Sequence, residues 1–337
     1  MRGNMIRRRI LTAVVVVLIA VVSLFGNGFL GRAYAAQTSE VGGNALKISP
    51  VRNDLTMDPG STLVTDVYIT NLTNVSAELS AQAEDFTASS DESGTPQILL
   101  NGQDAPSHSL RQFVQPIANF DLPAQGEKDI KVTIVVPQGA AGGGYYGLIR
   151  IFPASQTDNG KNVNLAASVG SLILLTVNGN INEQMSMASF DVRRGDNAAF
   201  IFTSNKNLVN VARFQNTGNI QLEPFGTMEL KRFGKTIKTY EVNTEDPKGN
   251  VLPDSIRRFD TSLTGISSFG KFELIGNFGY GSKGQLITAS ATFYIIPVGY
   301  AIAGIIVILL LLVGLFVLPR MIRAYNRRVL RKASRRR

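Results

Sequence analysis

The chain has 337 residues, a formal net charge of +9, one histidine, and neither cysteine nor tryptophan. That length accommodates about two domains of roughly 150 residues each. The missing cysteines exclude a disulfide-stapled scaffold and a lipoprotein anchored through cysteine. With one histidine besides, a zinc centre has no ligand set.

The amino-terminal residues MRGNMIRRRILTAVVVVLIAVVSLFGNGFLGRAYAA carry four early arginines, an apolar run from Ile10 to Phe25, and Ala33-Tyr34-Ala35. This is the order of a secretory signal peptide over 1–35, cut after Ala35; the alternative is an uncleaved amino-terminal anchor. A short linker, 36–43, follows.

From residue 44 the pattern is alternation. Leu63, Thr65, Val67 and Ile69 share one face of a predicted strand, and Ile130, Val132, Ile134 and Val136 share one face of another. GSLILLTVNG (170–179) is an apolar run of strand length, and Asn, Gly and Pro punctuate the runs. This predicts an all-β fold of two tandem immunoglobulin-like β-sandwiches, at 44–180 and 184–296, joined by the polar stretch NGNINEQM. Val67…Asn71-x-x-Asn74 is echoed by Ala212…Asn216-x-x-Asn219, as expected of like modules.

The run VPQGAAGGGYYGLIRIFP (136–153) has the superficial look of a phosphate-cradling loop. Such a loop needs a helix behind it, whose amino terminus faces the anion. Here the residues after the glycines alternate and end at Pro153, so a strand is predicted. Period two puts Tyr145, Ile149 and Ile151 on one face, with Gly147 making room, and Tyr146, Leu148, Arg150 and Phe152 on the other. Tyr146 and Phe152 are therefore candidate ligand-binding aromatics, and Tyr280, beside a predicted turn, is a third. Each is weighed against packing within a sandwich or between the two.

Val298 to Leu318 is uncharged for 21 residues, enough to span a hydrocarbon core of about 30 Å. Nine positive side chains and no acid follow in the basic tail, 319–337. The positive-inside rule puts this tail in the cytoplasm, with Arg320, Arg323, Arg327 and Arg328 expected against anionic lipid, and the sandwiches outside the cell. Tyr294 and Tyr300 sit where an outer aromatic belt belongs. Because the two ends hold the excess of positive charge, the portion between them has a net charge of about −5. That argues against nucleic acid as a partner.

Catalytic signals are weak. His108 lies in a polar loop, and Glu84, Asp85, Asp91 and Glu92 read as a solvated acidic edge without calcium-loop spacing. Asn71-Leu72-Thr73 and Asn74-Val75-Ser76 match the glycosylation sequon within a turn, where asparagine has backbone reasons to be. No catalytic residue, metal or cofactor is predicted.

Pro137, Gly139, Gly143, Tyr145, Gly147, Ile149 and Ile151, with the early Pro59-Gly60 turn, resemble a strand pattern of bacterial immunoglobulin-like surface domains. The order of parts, with NTGNIQLEPFGTMEL, VLPDSIRRF and FYIIP in the second module, resembles the WxL-interacting protein family. The resemblance implies peptidoglycan binding by the first domain and protein partners for the second. The expectation is a non-enzymatic, single-pass bacterial cell-surface protein that binds cell-wall glycan or a surface protein. The alternatives are a scaffold subunit of a secretion or adhesion assembly and a cell-wall polymer hydrolase.

Overall fold

The structure is a computed structural model that describes residues 46–154 and 168–333. The expected signal peptide, the 36–43 linker, the polar loop at 155–162 and the last four residues of the tail lie outside the described residues. Among the described residues, nine strands precede residue 178: β1 (Leu46–Ser49), β2 (Arg52–Met57), β3 (Thr62–Asn71), β4 (Ala77–Ala88), β5 (Pro96–Leu99), β6 (Phe120–Leu122), β7 (Glu127–Val135), β8 (Gly143–Pro153) and β9 (Val169–Val177). Nine more follow: β10 (Met185–Arg194), β11 (Asn197–Ala198), β12 (Ile201–Phe202), β13 (Leu208–Asn216), β14 (Phe225–Arg232), β15 (Lys235–Val242), β16 (Ser255–Leu263), β17 (Gly270–Tyr280) and β18 (Gln285–Ile295).

They form four sheets. In the first half, β1-β3-β7 faces β2-β9-β8-β4-β5, with β6 paired to β4. In the second, β11-β10-β13-β16 faces β12-β18-β17-β14-β15. The predicted alternation is what fills the space between facing sheets. Val67, Ile69, Ile130, Val132 and Ile134 from one sheet meet Leu79, Ile149, Ile151, Ile173 and Leu175 from the other, all buried. Fully burying such a side chain contributes about 1.5–3 kcal/mol, so these rows hold the pair together without a disulfide. The second half has its own core, in which Phe214 sits edge-on to Phe278 and Phe272 stacks on Phe293.

The asparagine echo is a structural repeat. At the end of β3, the Asn71 amide donates to the Val75 and Pro123 carbonyls, and its oxygen accepts the Thr73 N–H. At the end of β13, Asn216 donates to Ile220 and Val251 and accepts the Gly218 N–H. Both side chains are buried. Each acts as an internal turn that satisfies backbone groups where a strand leaves its sheet. Burial also removes Asn71 from any glycosylating enzyme.

After β18, helix α1 (Val298–Leu312) runs through a π turn at Val313–Val317 into α2 (Leu318–Ala333). The stretch Val298–Tyr325 is 28 residues, its most apolar window has mean hydropathy 3.3, and none of that window is buried, so it is long and apolar enough to cross a membrane.

Candidate functional site

Tyr146 lies on the face of β8 opposite Tyr145, as alternation predicts, but that face is not open to solvent. Tyr146 is 3% exposed, not free, because the outer face of β8 and β9 is covered by the second half of the chain. There Phe86, Tyr146, Leu148 and Leu174 form a separate cluster, with Leu172 and Leu252 packed against it. Tyr280 is 8% exposed and belongs to the second core. Phe152 is half-buried with the Arg150 guanidinium 4.5 Å from its ring centre. Arg320 and Arg323 are exposed on α2, where Arg320 donates to the Phe316 carbonyl. Arg327 and Arg328 fall on the same helix, and their side chains are outside the described residues.

From Gly143 the glycine run is strand β8, and Gly142, Gly144 and Gly147 serve close packing. A Cβ on Gly144 would come within 1.9 Å of the Tyr146 hydroxyl, and one on Gly142 within 2.7 Å of Gly179. At Gly147 it would meet the Glu84 carbonyl at 2.9 Å and Leu110 Cβ at 3.1 Å. His108, half-buried, bonds through Nδ1 to the Gly144 carbonyl at 2.5 Å, and its ring lies 5.9 Å from that of Tyr146.

A polar clamp joins the two halves. The Tyr146 hydroxyl donates to Gln221 Oε1, and Gly144 N–H donates to the Asn219 carbonyl. Arg213 forms a two-pronged pair with Glu92, which the acidic-edge reading leaves in solvent. This contact holds the Glu92 carboxyl below its usual range, first through the Arg213 hydrogen bonds. Arg52 reaches Glu223, the Lys248 carbonyl and its own neighbour Asp54. Between these contacts lies a cleft of about 230 Å³, with Arg257 on its wall. Burial, and then repulsion from Arg52, lower the Arg257 pKa from its ordinary value.

Glu84 and Asp85 are also misplaced by the acidic-edge reading; both are buried. Asp85 accepts the backbone N–H groups of Ala105 and Arg111, each at 2.9 Å, and pins the loop between β5 and β6. Of the four acids, Asp91 is fully exposed, and hydrogen bonds from Ser93 and Ser89 hold its carboxyl at about 2. No cluster of three or more metal-ligating side chains occurs among the described residues.

A second depression carries more promise as a site. β4 pairs with β8 along Leu79–Asp85. On its opposite edge, β6 pairs with Ala77–Leu79 and β5 with Asp85–Ala88. Among the described residues, the edge of Ser80–Glu84 between them has no strand partner. A groove of about 750 Å³ runs along it, closed on the far side by Arg111–Pro116 and Asn119. Glu84 is among the groove residues, and its carboxylate is buried, with Oε1 4.0 Å from Arg150. The gap arises from strand pairings that alternation does not encode.

No family model matches the chain, and no curated protein matches it. Solved structures do. The class 5 fimbriae chaperone CfaA is similar with 13% identity and a TM-score of 0.37, over 75% of this chain and 99% of that one. A chain of a chaperone–tip adhesin complex of CFA/I fimbriae biogenesis has 14% identity and a TM-score of 0.38, with the same coverage. The YadV chaperone has 12% identity and a TM-score of 0.34, over 74% of this chain and 100% of that one.

Proposed function

We propose that this is a non-enzymatic, membrane-anchored binding protein with two tandem immunoglobulin-like sandwiches, acting as a scaffold in a surface adhesion or assembly system. One observation carries the reading: the unpaired Ser80–Glu84 edge of β4 opens onto a groove of about 750 Å³. An extended segment of a protein partner is what an open edge accepts. Its backbone would continue the ladder, while alternate side chains enter the groove. Five residues of strand span about 17 Å, so the segment is short.

The helix at Val298–Tyr325 supports a single membrane span. In this reading the sheets lie outside the cell, and the tail, through Arg320, Arg323, Arg327 and Arg328, faces anionic lipid in the cytoplasm. The resemblance to WxL-interacting proteins belongs to the same proposal, since that architecture also holds a binding module near the cell wall.

The test is site-specific photocrosslinking in the full chain in its own cells. A photoreactive residue at Gln82 or Gln115, in the groove, should give a protein adduct. The same residue at Thr239, on the charged edge of β15, should not. Adducts to wall glycan at the groove positions would favour glycan binding instead, and release of soluble sugar from sacculi would show an enzyme.

A further inference from the structure

The second pair of sheets has two ends, and they differ. At one end the chain leaves β18 for the apolar helix. Pairings identify what else lies there: Ile201 and Phe202 of β12 run beside Tyr294 and Ile295, and Gly270 and Lys271 open β17 against the same two residues. Lys231 of β14 pairs with Glu273, so the β14–β15 turn at Phe233-Gly234 projects from this end too. Arg232 ties that turn to the β16–β17 loop by donating to the Phe269 carbonyl.

This end carries large apolar side chains in solvent. Phe233 is 84% exposed, Phe200 68%, Ile201 50%, Phe269 49% and Tyr294 37%. They come from three connections, at Phe200, Phe233 and Phe269, and from strands β12 and β18, so no single hydrophobic segment explains them. Phe269 also lies 5.3 Å from the ring of Tyr300, in the first turn of α1. Lys206, Lys235 and Lys271 are exposed among them, with Asp196 as a counter-charge.

Phe233 is the telling position. Its φ is +51°, followed by Gly234 at +75°. This is the left-handed conformation of a two-residue hairpin turn, which favours Asn, Asp or Gly and penalises a bulky side chain. A phenylalanine kept at a conformational cost, with its ring in solvent, points to use of the ring.

We infer that this end of the second sheet pair rests on the outer leaflet, with Phe200, Ile201, Phe233 and Phe269 inserted at the level of the headgroups. The inference depends on the proposed membrane span. The occupant follows from connectivity: two residues, Ile296 and Pro297, separate β18 from α1, so a spanning helix holds this end within a few residues of the bilayer. Aromatic rings flanked by lysines suit the interfacial zone, where an apolar body and nearby cations are both accommodated. The surface would fix the height and tilt of the β4 groove above the membrane.

The chain has no tryptophan, so single replacements report cleanly. The full chain would be reconstituted in vesicles of phosphatidylcholine and phosphatidylglycerol carrying a nitroxide lipid, labelled near the glycerol backbone or near the chain end. Phe233→Trp and Phe269→Trp should shift to the blue and fall roughly two-fold in emission with the shallow label, as expected of interfacial aromatics. Leu286→Trp, exposed at the opposite end of β18, should stay unquenched. Leu309→Trp, within the helix, should respond to the deep label. Quenching at Leu309 without quenching at Phe233 and Phe269 would overturn the docking while leaving the span intact. Absence of quenching at Leu309 would remove the span, and the docking with it. Equal quenching at Leu286 would also overturn it, since contact would not be confined to one end.

Discussion

The Tyr146 hydroxyl donates a 2.9 Å hydrogen bond to Gln221 Oε1, joining the glycine-rich strand of the first sheet pair to the second. Burial pushes the phenol's pKa up, so it remains protonated and a donor at any physiological pH. The side chain is thus both an apolar plug and a polar link between the halves. Tyr146→Phe should keep the plug and lose the link, at a cost of about 1 kcal/mol in denaturant unfolding. Tyr146→Ala should cost about 3–5 kcal/mol, comparable to other large-to-small core changes. Equal small losses for both would mean that the ring is not packed between the halves.

Gly147 faces the Glu84 carbonyl and Leu110 at distances a side chain cannot share. Gly147→Val should lower stability by about 1–3 kcal/mol through overpacking. Added phosphate or nucleotide should leave the melting temperature of the wild-type chain unchanged. A saturable rise would restore the anion-loop reading of 136–153.

Asp85 satisfies two backbone N–H groups in the dry interior. Asp85→Ala leaves both orphaned and should cost about 3 kcal/mol, while Asp85→Asn, which still offers one acceptor oxygen, should cost less. Hydrogen exchange at Ala105 and Arg111 should accelerate in both variants, and most in the alanine variant.

The Glu92–Arg213 pair gives the junction a pH dependence. The folded Glu92 pKa lies below the ordinary glutamate value of 4.5, chiefly because Arg213 hydrogen-bonds the carboxylate. Its stabilisation is therefore fully present above pH 4.5 and is lost as pH falls through the folded value. Being partly exposed, the pair is worth up to about 1 kcal/mol. Glu92→Gln should be less stable than wild type at pH 7 and indistinguishable from it once Glu92 is protonated. A difference that persists in acid would place the effect elsewhere.

Asn71→Ala and Asn216→Ala should be similarly damaging, since each amide makes the same set of backbone bonds in its own half. Each should cost about 2–3 kcal/mol by calorimetry, because buried partners lose hydrogen bonds that water cannot replace. A much smaller loss at either site would show that its turn is held by other contacts.

The sequence by itself determined strand faces that build the first core, the apolar helix, the need for glycine at 147 and the paired asparagine turns. All of these rest on local rules: a side-chain period of two, uninterrupted hydropathy, and turn chemistry. Tertiary structure decided the rest. Period two separates Tyr145 from Tyr146, yet it cannot say that a second pair of sheets, more than thirty residues further on, covers the Tyr146 face. The continuous run at Leu172–Leu175 is buried on both sides for the same reason. Glu92 and Arg213 are 121 residues apart, and Arg52 and Glu223 171. The unpaired stretch of β4 arises because β6 ends at one rung and β5 begins at another. Such pairings depend on which strands meet in space, and that choice is made by the packing of whole sheets, not by the pattern within any one strand.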